Sequence, residues 1–298
     1  MHIKNSEKGL TWVIGAEGML GFAVLKTLKE RQEPFVATGR SVDISNIAQL
    51  EQFILKLPSP PTWVINCAAY TAVDRAEQEE ELAYAVNAVG PELLGRLARK
   101  YGFRVLHVST DYIFGGRASS GLSEMALPCP ANVYARSKLE GEQRLLANVP
   151  DATIVRTSWL FGPSGGNFVM KILNAMTLRE TIHVVHDQEG RPTFTLDLAH
   201  VMVGLRDQPG VYHYANSGST SWHGFAFEIW QRAQSLGIPI KCREVQAIPS
   251  SEFPMIAKRP SYSVLDTSKV EGMGFIPRSW QQALLEFMQS VEPHAPPT

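Results

Sequence analysis

A glycine-rich turn between a strand and a helix is the feature that most restricts how this chain can fold. The apolar run Leu10–Ile14 predicts a buried strand, and apolar residues at helical spacing in Met19–Glu30 predict a helix directly after it. Gly15, Gly18 and Gly21 stand between and within these segments. The first glycine permits a tight turn, the second lets a pyrophosphate approach the backbone, and the third lets the helix pack closely on the strand. The placement predicts a dinucleotide site.

Short apolar runs and longer amphipathic stretches alternate through the first half of the chain. Strands are predicted at 10–14, 35–38, 63–66, 103–108 and 153–156, and helices at 19–30, 44–57, 79–101 and 134–147. Uniformly apolar strands, each followed by a helix, indicate a parallel sheet covered on both faces. Right-handed crossovers then predict an α/β fold with a Rossmann-type doubly wound parallel sheet over residues 1–160, and a later return to it near 195–214.

The pattern changes after residue 160. A loop rich in glycine at 162–166 is followed by predicted helices at 168–177, 196–206, 222–236 and 280–290, and by short strands near 182–185, 211–214 and 241–245. We interpret residues 161–298 as a smaller C-terminal α/β lobe that binds substrate. It would lie over the carboxyl edge of the sheet, where ligands bind in open α/β folds.

Composition restricts the partners of the chain. Its 298 residues include 28 basic and 29 acidic ones, and a net charge of −1 argues against binding nucleic acid or an anionic membrane surface. Three scattered cysteines fit neither a disulfide framework nor a metal site, and they favour a reducing compartment. No apolar run approaches the roughly 20 residues of a membrane span. We expect a cytoplasmic protein without a membrane partner or a catalytic metal; the sequence leaves a structural Mg²⁺ and a homodimer open.

The end of the second strand bears on the choice of nicotinamide cofactor. A carboxylate at this point holds the adenosine ribose 2′-hydroxyl in NAD-binding proteins. Gly39 and Arg40 stand there instead, and the guanidinium fork of Arg40 suits a 2′-phosphate, which favours NADPH. Asp43 and the adjacent Ile44 are further candidates for contact with this end of the cofactor, so NADH stays open.

The segment after the third strand has small side chains. Ala68 and Ala69 leave room for the middle of the cofactor, although ordinary close packing would favour the same residues. Cys67 is interpreted as a small buried filler, since no basic or histidine neighbour in the sequence would activate it as a nucleophile.

A tyrosine and a lysine lie four residues apart on a predicted helix. This spacing places Tyr134 and Lys138 on one helix face. A free tyrosine titrates near pH ~10, and a nearby ammonium is expected to lower that pKa, so that the phenol can protonate the alkoxide formed when hydride reaches a ketone. Thr110 follows the fourth strand at the same edge of the sheet, where a hydroxyl can bind the carbonyl oxygen. Together with the glycine turn, these residues predict a ketone reductase.

The chain resembles the extended short-chain dehydrogenases, and within them the dTDP-4-dehydrorhamnose reductase family, over about residues 11–288. The segments that carry the resemblance are Asn66–Asp74, Ser109–Phe114, Arg156–Trp159, Asp187–Thr193 and Arg259–Pro260. The resemblance implies reduction of dTDP-4-dehydro-L-rhamnose to dTDP-L-rhamnose by hydride transfer from NADPH or NADH, in dTDP-rhamnose biosynthesis.

The resemblance also implies a role for each matching residue. Tyr134 would donate the proton, Lys138 would orient the cofactor ribose, and Thr110 would polarise the C4 carbonyl. The residues expected to contact the cofactor, beside Arg40, Asp43 and Ile44, are Gly15, Gly18, Met19, Leu20, Gly21, Ala68, Ala69, Tyr70, Thr71, Asn87, Tyr134 and Lys138. The residues expected to contact the dTDP-sugar are Thr110, Asp111 and Trp159. Asn87 would also support the helix that carries Tyr134.

Two residues of the second lobe are further candidates for substrate contact. Asn167 and Arg259 lie there, and the guanidinium of Arg259 suits a diphosphate. A surface salt bridge is the alternative for Arg259.

Other functions stay open at the level of sequence. Tyr70 stands where these reductases often carry histidine, and the second strand lacks its acidic residue. An NDP-sugar epimerase or dehydratase would use the same scaffold and return the hydride to its substrate. A non-catalytic protein that resembles the regulatory β-subunit of methionine adenosyltransferase would bind a partner instead.

Overall fold

The computed structural model describes residues 9–116 and 120–290, so the outer ends of the two predicted domains lie outside the described residues. The strands are β1 Thr11–Ile14, β2 Phe35–Thr38, β3 Trp63–Asn66, β4 Arg104–Thr110, β5 Thr153–Thr157, β6 Leu160–Phe161, β7 Thr181–Val185, β8 Glu189–Gly190, β9 Thr193–Phe194, β10 Gly210–His213, β11 Thr220–Ser221 and β12 Glu244–Ile248. The helices are α1 Met19–Glu30, α2 Ile47–Leu55, α3 Val73–Ala76, α4 Glu80–Tyr84, α5 Gly90–Tyr101, α6 Val133–Asn148, α7 Phe168–Leu178, α8 Thr195–Leu205, α9 Trp222–Ser235, α10 Ser268–Glu271 and α11 Trp280–Ser290.

Six strands form one parallel sheet in the order β10-β5-β4-β3-β1-β2. Every residue of β1 is buried, so both faces of the sheet need cover. On one face Val13 and Ile65 pack with residues of α1 and α8, and on the other Trp12 and Val64 pack with residues of α2, α5 and α6. Each such side chain contributes about 1.5–3 kcal/mol by its burial. The predicted doubly wound, Rossmann-type sheet is confirmed.

The predicted return of the chain to the sheet is present. Helix α8 packs along α1, and β10 then pairs in parallel with β5 at the edge of the sheet. The amide of Gly210 donates to the carbonyl of Ala152 at 3.1 Å, which starts the pairing. The second part of the chain therefore supplies one helix and one strand to the first.

A second apolar core lies in the C-terminal lobe. Phe161, Phe194, Phe225 and Phe287 lie in one buried cluster among α7, α9 and α11. The parallel pair of β7 and β12 adds its apolar face to this cluster. The strand predicted at 241–245 begins three residues later, because the amides of Lys241 and Cys242 first donate to the carbonyl of Met176 near the end of α7.

Two helices differ from their predicted bounds for local reasons. The helix predicted at 44–57 begins at Ile47, because the Asn46 side chain caps it by accepting from the amides of Ala48 and Gln49. The helix predicted at 79–101 consists of α4, a π-helical turn at Ala85–Val89, and α5. Such turns recur at functional sites, and this one carries Asn87.

Among the described residues, none of the helices combines the length and the apolar character that crossing a bilayer requires. Over the same residues, no group of three or more histidine, cysteine, aspartate or glutamate side chains is arranged to hold a metal ion.

Candidate active site

The glycine turn leaves the start of α1 open to an anion. Gly15 adopts a left-handed backbone with φ 77°, and its amide donates to the carbonyl of Thr38 at 2.9 Å, which fixes the turn beside β2. A Cβ at Gly21 would lie 2.2 Å from the Gly15 carbonyl oxygen, so only glycine fits there. Gly18 precedes α1 without a side-chain cap, and the first turn carries no acidic residue. The amides at the start of α1, at Met19 and Leu20, are therefore available to a pyrophosphate.

The turn packs directly against the segment after β3. A Cβ at Gly15 would lie 2.6 Å from the amide nitrogen of Ala68, so the two backbones touch. Ala68, Ala69, Tyr70 and Thr71 thus follow β3 beside the turn, at the carboxyl edge of the sheet. Their position, with two small side chains next to the open start of α1, fits a dinucleotide at this edge.

A carboxylate does lie at the end of β2, but it comes from the glycine turn. The Glu17 carboxylate lies against Gly39 and accepts from the amide of Arg40 at 3.4 Å. Arg40 itself is exposed, which is compatible both with a 2′-phosphate ligand and with a solvated loop residue. Asp43 accepts from the amide and hydroxyl of Ser45, so its carboxylate is bonded within its own turn.

Ile44 is buried rather than presented to the crevice. Its side chain is 4% exposed and packs where a Cβ at Gly90 would lie 2.9 Å away. The structure therefore gives Ile44 a packing role between α2 and α5.

Thr110 and Tyr134 meet at the carboxyl end of β4. The Thr110 hydroxyl is near enough to the Tyr134 phenol to affect its pKa, and Thr110 accepts from the amide of Tyr112 at 3.2 Å. Asn132 caps α6 by accepting from the amide of Ala135 at 2.7 Å, which places Tyr134 in the first turn of the helix. The two predicted catalytic groups are brought together.

The expected lowering of the Tyr134 pKa by Lys138 is wrong. Burial of the phenol raises the pKa of Tyr134 to about 12; the nearby Thr110 hydroxyl acts to lower this pKa, and the charge of Asp111 acts to raise it. The Lys138 Nζ donates to the Val108 carbonyl at 2.6 Å and lies 3.2 Å from a nitrogen of a buried histidine. Desolvation of this buried ammonium lowers the pKa of Lys138 to about 8.

Asn87 supports the tyrosine–lysine helix as expected. Its Nδ2 donates to the hydroxyl of Ser137 and to the carbonyl of Tyr70, both at 3.0 Å, and its Oδ1 accepts from the amide of Tyr70 at 2.9 Å. Ser137 lies between Tyr134 and Lys138. These bonds use both N–H groups of Asn87, so its side chain joins the Tyr70 segment to α6 rather than offering a donor to the cofactor.

The phenol of Tyr70 is also occupied. Its hydroxyl donates to the carboxylate of Glu79, which also pairs with Arg75. The backbone of Tyr70, held by Asn87, is therefore the part of this residue that lines the site.

Asp111 is a buried carboxyl group beside the catalytic pair. It is 2% exposed, its Oδ1 accepts from Thr110 at 3.2 Å, and its Oδ2 has no partner among the described residues. Burial raises the pKa of Asp111 to about 7, and the hydrogen bond from Thr110 opposes this. The site therefore holds a carboxyl group that changes charge near neutral pH.

Trp159 has a strained backbone. Its φ is 46°, a left-handed conformation that is rare for a bulky residue and that costs free energy. Its indole stacks on Trp222, with ring centroids 3.5 Å apart, and lies against Gly190, while its carbonyl accepts from the amide of Thr193. These contacts hold the strained residue in place, so that its indole forms an aromatic surface at the start of the second lobe.

The two remaining substrate candidates are engaged elsewhere. Asn167 caps α7 by accepting from the amide of Met170, and it donates to the carbonyl of Gly162, so both of its polar groups serve the fold. Arg259 makes a two-point ion pair with Asp74, at 2.6 and 3.0 Å. The salt-bridge alternative for Arg259 is the arrangement in the structure.

Sequence reasoning missed several residues of the site. His107 contacts Lys138, and Asn66 contacts His107. His107 lies three residues before Thr110, on the strand whose end was singled out, and this proximity was the available signal. Asp74 and Arg259 both lie in segments that carry the family resemblance, but no spacing rule predicted that they would pair, and Glu17 meets the Arg40 amide across 23 positions.

Comparison with known proteins places the whole chain in one family. The model described as "RmlD substrate binding domain" matches residues 10–292. The chain is 37% identical over 283 residues to dTDP-4-dehydrorhamnose reductase of Aggregatibacter actinomycetemcomitans, which covers 91% of this chain and 96% of that protein.

Two solved structures of the same family are similar to the chain over nearly its whole length. A dTDP-4-dehydrorhamnose reductase of Bacillus anthracis, solved in complex with NADP, is 35% identical with a TM-score of 0.89, covering 95% of this chain and 100% of that one. The enzyme of the same name from Clostridium acetobutylicum is 37% identical with a TM-score of 0.88, covering 94% and 98%.

Proposed function

Because the chain belongs to the dTDP-4-dehydrorhamnose reductase family of extended short-chain dehydrogenases, we propose that it reduces dTDP-4-dehydro-L-rhamnose to dTDP-L-rhamnose with NADPH or NADH, in dTDP-rhamnose biosynthesis. The observation that carries the proposal is the proximity of the Thr110 and Tyr134 hydroxyl groups, at the edge of the sheet where the glycine turn opens. Two hydroxyl groups there can bind one carbonyl oxygen.

The nicotinamide supplies the hydride when it is bound. The turn from Gly15 to Gly21 would hold its pyrophosphate, and Ala68 and Ala69 would line its central part. Thr110 would turn its one proton from Asp111 to the C4 oxygen of the sugar and so favour the charge that develops there. Tyr134 gives its proton to that oxygen; its raised pKa keeps the phenol protonated at neutral pH, so the proton is in place before the reaction begins.

Two residues at the end of β2 bear on the choice of cofactor. The exposed guanidinium of Arg40 favours the 2′-phosphate of NADPH, whereas the carboxylate of Glu17 favours the ribose hydroxyl of NADH. We expect both cofactors to serve. Glu17→Gln should lower the KM for NADPH relative to that for NADH. Arg40→Ala should raise the KM for NADPH relative to that for NADH.

The sugar nucleotide would lie between the edge of the sheet and the second lobe. We propose that Asp111 and Trp159 face it, since one has a buried carboxyl oxygen without a partner among the described residues and the other offers an aromatic surface stacked on Trp222 of the second lobe. Cys67, Cys129 and Cys242 are free thiols, in keeping with a cytoplasmic location, and a homodimer is compatible with the proposal.

The test measures stoichiometry. The purified chain is given dTDP-4-dehydro-L-rhamnose and NADPH, and one NADPH should be oxidised for each sugar reduced. Sugar conversion without net oxidation would instead identify an epimerase or dehydratase, and no conversion would leave the non-catalytic alternative. Thr110→Val keeps the shape of the side chain and removes its hydroxyl, so kcat should fall by about 10²-fold while cofactor affinity is unchanged.

A further inference from the structure

A chain of buried polar groups runs from the cofactor crevice to Lys138. The amide of Ala68 donates to the Asn66 Oδ1 at 3.0 Å, the Asn66 Nδ2 lies 3.0 Å from the His107 Nδ1, and the His107 Nε2 lies 3.2 Å from the Lys138 Nζ. Asn66 and His107 are fully buried, and Lys138 is 2% exposed. Nothing in the reaction described above uses Asn66 or His107.

The direction of the first bonds fixes the proton on the imidazole. The Ala68 amide can only donate, so the oxygen of the Asn66 side chain faces it and the Nδ2 group faces His107. The Nδ1 of His107 must then accept. Burial lowers the pKa of His107 well below its usual value, so the ring is neutral and carries its one proton on Nε2.

That proton points at the lysine nitrogen. An ammonium has no lone pair and cannot accept from the Nε2–H of His107, whereas a neutral amine can. A neutral Lys138 accepts from His107 and still donates to the carbonyl of Val108, 2.6 Å away. With a neutral amine at Lys138, every one of these buried polar groups has a hydrogen-bond partner.

We infer that Asn66 and His107 are positioning residues for Lys138, and that they favour its neutral amine by presenting the Nε2–H of His107 to the lysine nitrogen. The lowered pKa of Lys138 agrees in direction. The consequence for catalysis rests on the proposed function: the Lys138 ammonium that would bind the cofactor ribose is lost as pH rises through the pKa of Lys138, so that pKa sets the alkaline limit of the reaction.

The other charged groups that face Lys138 do not replace this control. Glu142 raises the pKa of Lys138 by its charge, but it is itself paired with Arg156 at 2.6 Å. Burial raises the pKa of the Cys67 thiol to about 12, and that of the Tyr134 phenol is raised as well, so both groups are uncharged at neutral pH. His107 is the neighbour whose proton position decides which form of Lys138 is bonded.

The first test reads the proton position directly. In protein labelled with ¹⁵N-histidine, two-bond proton–nitrogen correlations distinguish Nδ1–H from Nε2–H. His213 is an internal reference of the opposite kind, since its Nδ1 lies 2.9 Å from the carbonyl of Leu122 and must carry the proton there. His107 should carry its proton on Nε2. An Nδ1–H ring at His107 would overturn the inference, and this measurement needs no variant, cofactor or sugar.

The second test uses one substitution to reverse the donor and acceptor in the hydrogen bond between residue 66 and His107. Asn66→Asp keeps the acceptor for Ala68 but replaces the donor that faces His107 by an acceptor. The ring should change to the Nδ1–H form, with His213 unchanged, and the Lys138 pKa, read from its ¹³Cε shift, should rise by at least about one unit. The alkaline limb of kcat should move to higher pH by the same amount.

The outcomes separate this inference from a merely structural role and from the proposed function. A structural role predicts a lower kcat whose pH profile falls at the same alkaline pH as in the natural chain. An alkaline limb at the same pH, or an unchanged Lys138 pKa in the folded variant, contradicts the inference. His213→Asn removes a buried histidine from β10, which β5 separates from the strand of His107, and should leave the alkaline limb at the same pH. The tautomer and the lysine pKa are measured without turnover, so a wrong substrate would not affect them.

Discussion

Asp111 offers a sharp test of how burial sets the charges of the site. Its carboxyl group is 2% exposed, and burial raises its pKa from 3.8 to about 7. A group whose pKa is raised by folding stabilises the folded state at low pH, where it is protonated, and that contribution is lost as pH rises through the folded pKa. Asp111→Asn removes this titration while keeping the shape of the side chain.

The size of the effect follows from the two pKa values. Between pH 5 and pH 7 the unfolded carboxyl group is ionised while the folded one still holds its proton, and each pH unit costs about 1.4 kcal/mol of unfolding free energy. The free energy of unfolding of the variant, relative to the natural chain, should therefore be about 3 kcal/mol greater at pH 8 than at pH 5.

Urea denaturation at pH 5 and pH 8 measures this difference. Asp151→Asn, at an exposed carboxyl group outside the site, is the matched control and should show no such change between the two pH values. If the stability of the Asp111 variant relative to the natural chain is the same at both pH values, burial does not control the Asp111 carboxyl group and the reasoning is refuted.

Three further substitutions test packing and buried charge. Arg156→Met leaves the buried carboxylate of Glu142 without its partner, so the free energy of unfolding should fall by about 3–5 kcal/mol in urea denaturation; a loss below about 1 kcal/mol would contradict this. Asp74→Ala removes the acceptor of two amides at 256–257, whose hydrogen exchange should become at least about 10-fold faster, and unchanged exchange would show that other contacts hold this segment. Gly21→Ala places a methyl group 2.2 Å from a carbonyl of the glycine turn, so it should weaken NADPH binding in titration calorimetry; an unaltered affinity would show that the turn tolerates the change.

The sheet could be predicted because its signals are local. The strands are short runs of apolar residues, every residue of β1 is buried, and the glycine turn follows at once. The placement of Tyr134 was equally local, since Asn132 caps the helix that carries it. Where a local side-chain hydrogen bond overrides the apolar pattern, the element begins a few residues from its predicted bound, as α2 does after its cap Asn46.

The charges of the site could not be predicted in the same way. Arg259 finds its partner Asp74 across 185 positions of the chain, and no spacing rule links the two. The pKa of Tyr134 depends on how completely its hydroxyl is enclosed, which only the folded chain determines. Lys138 lies on the predicted helix face, yet its nitrogen turns toward His107 because the buried amine needs a partner there.

The central claim is that Tyr134 gives the proton to the sugar oxygen, and a single-turnover measurement tests it most directly. Tyr134→Phe removes only the hydroxyl, so the rate of NADPH oxidation with saturating dTDP-4-dehydro-L-rhamnose should fall by about 10²–10⁴-fold, while NADPH binds with unchanged affinity. An unchanged single-turnover rate in the folded variant would contradict the account.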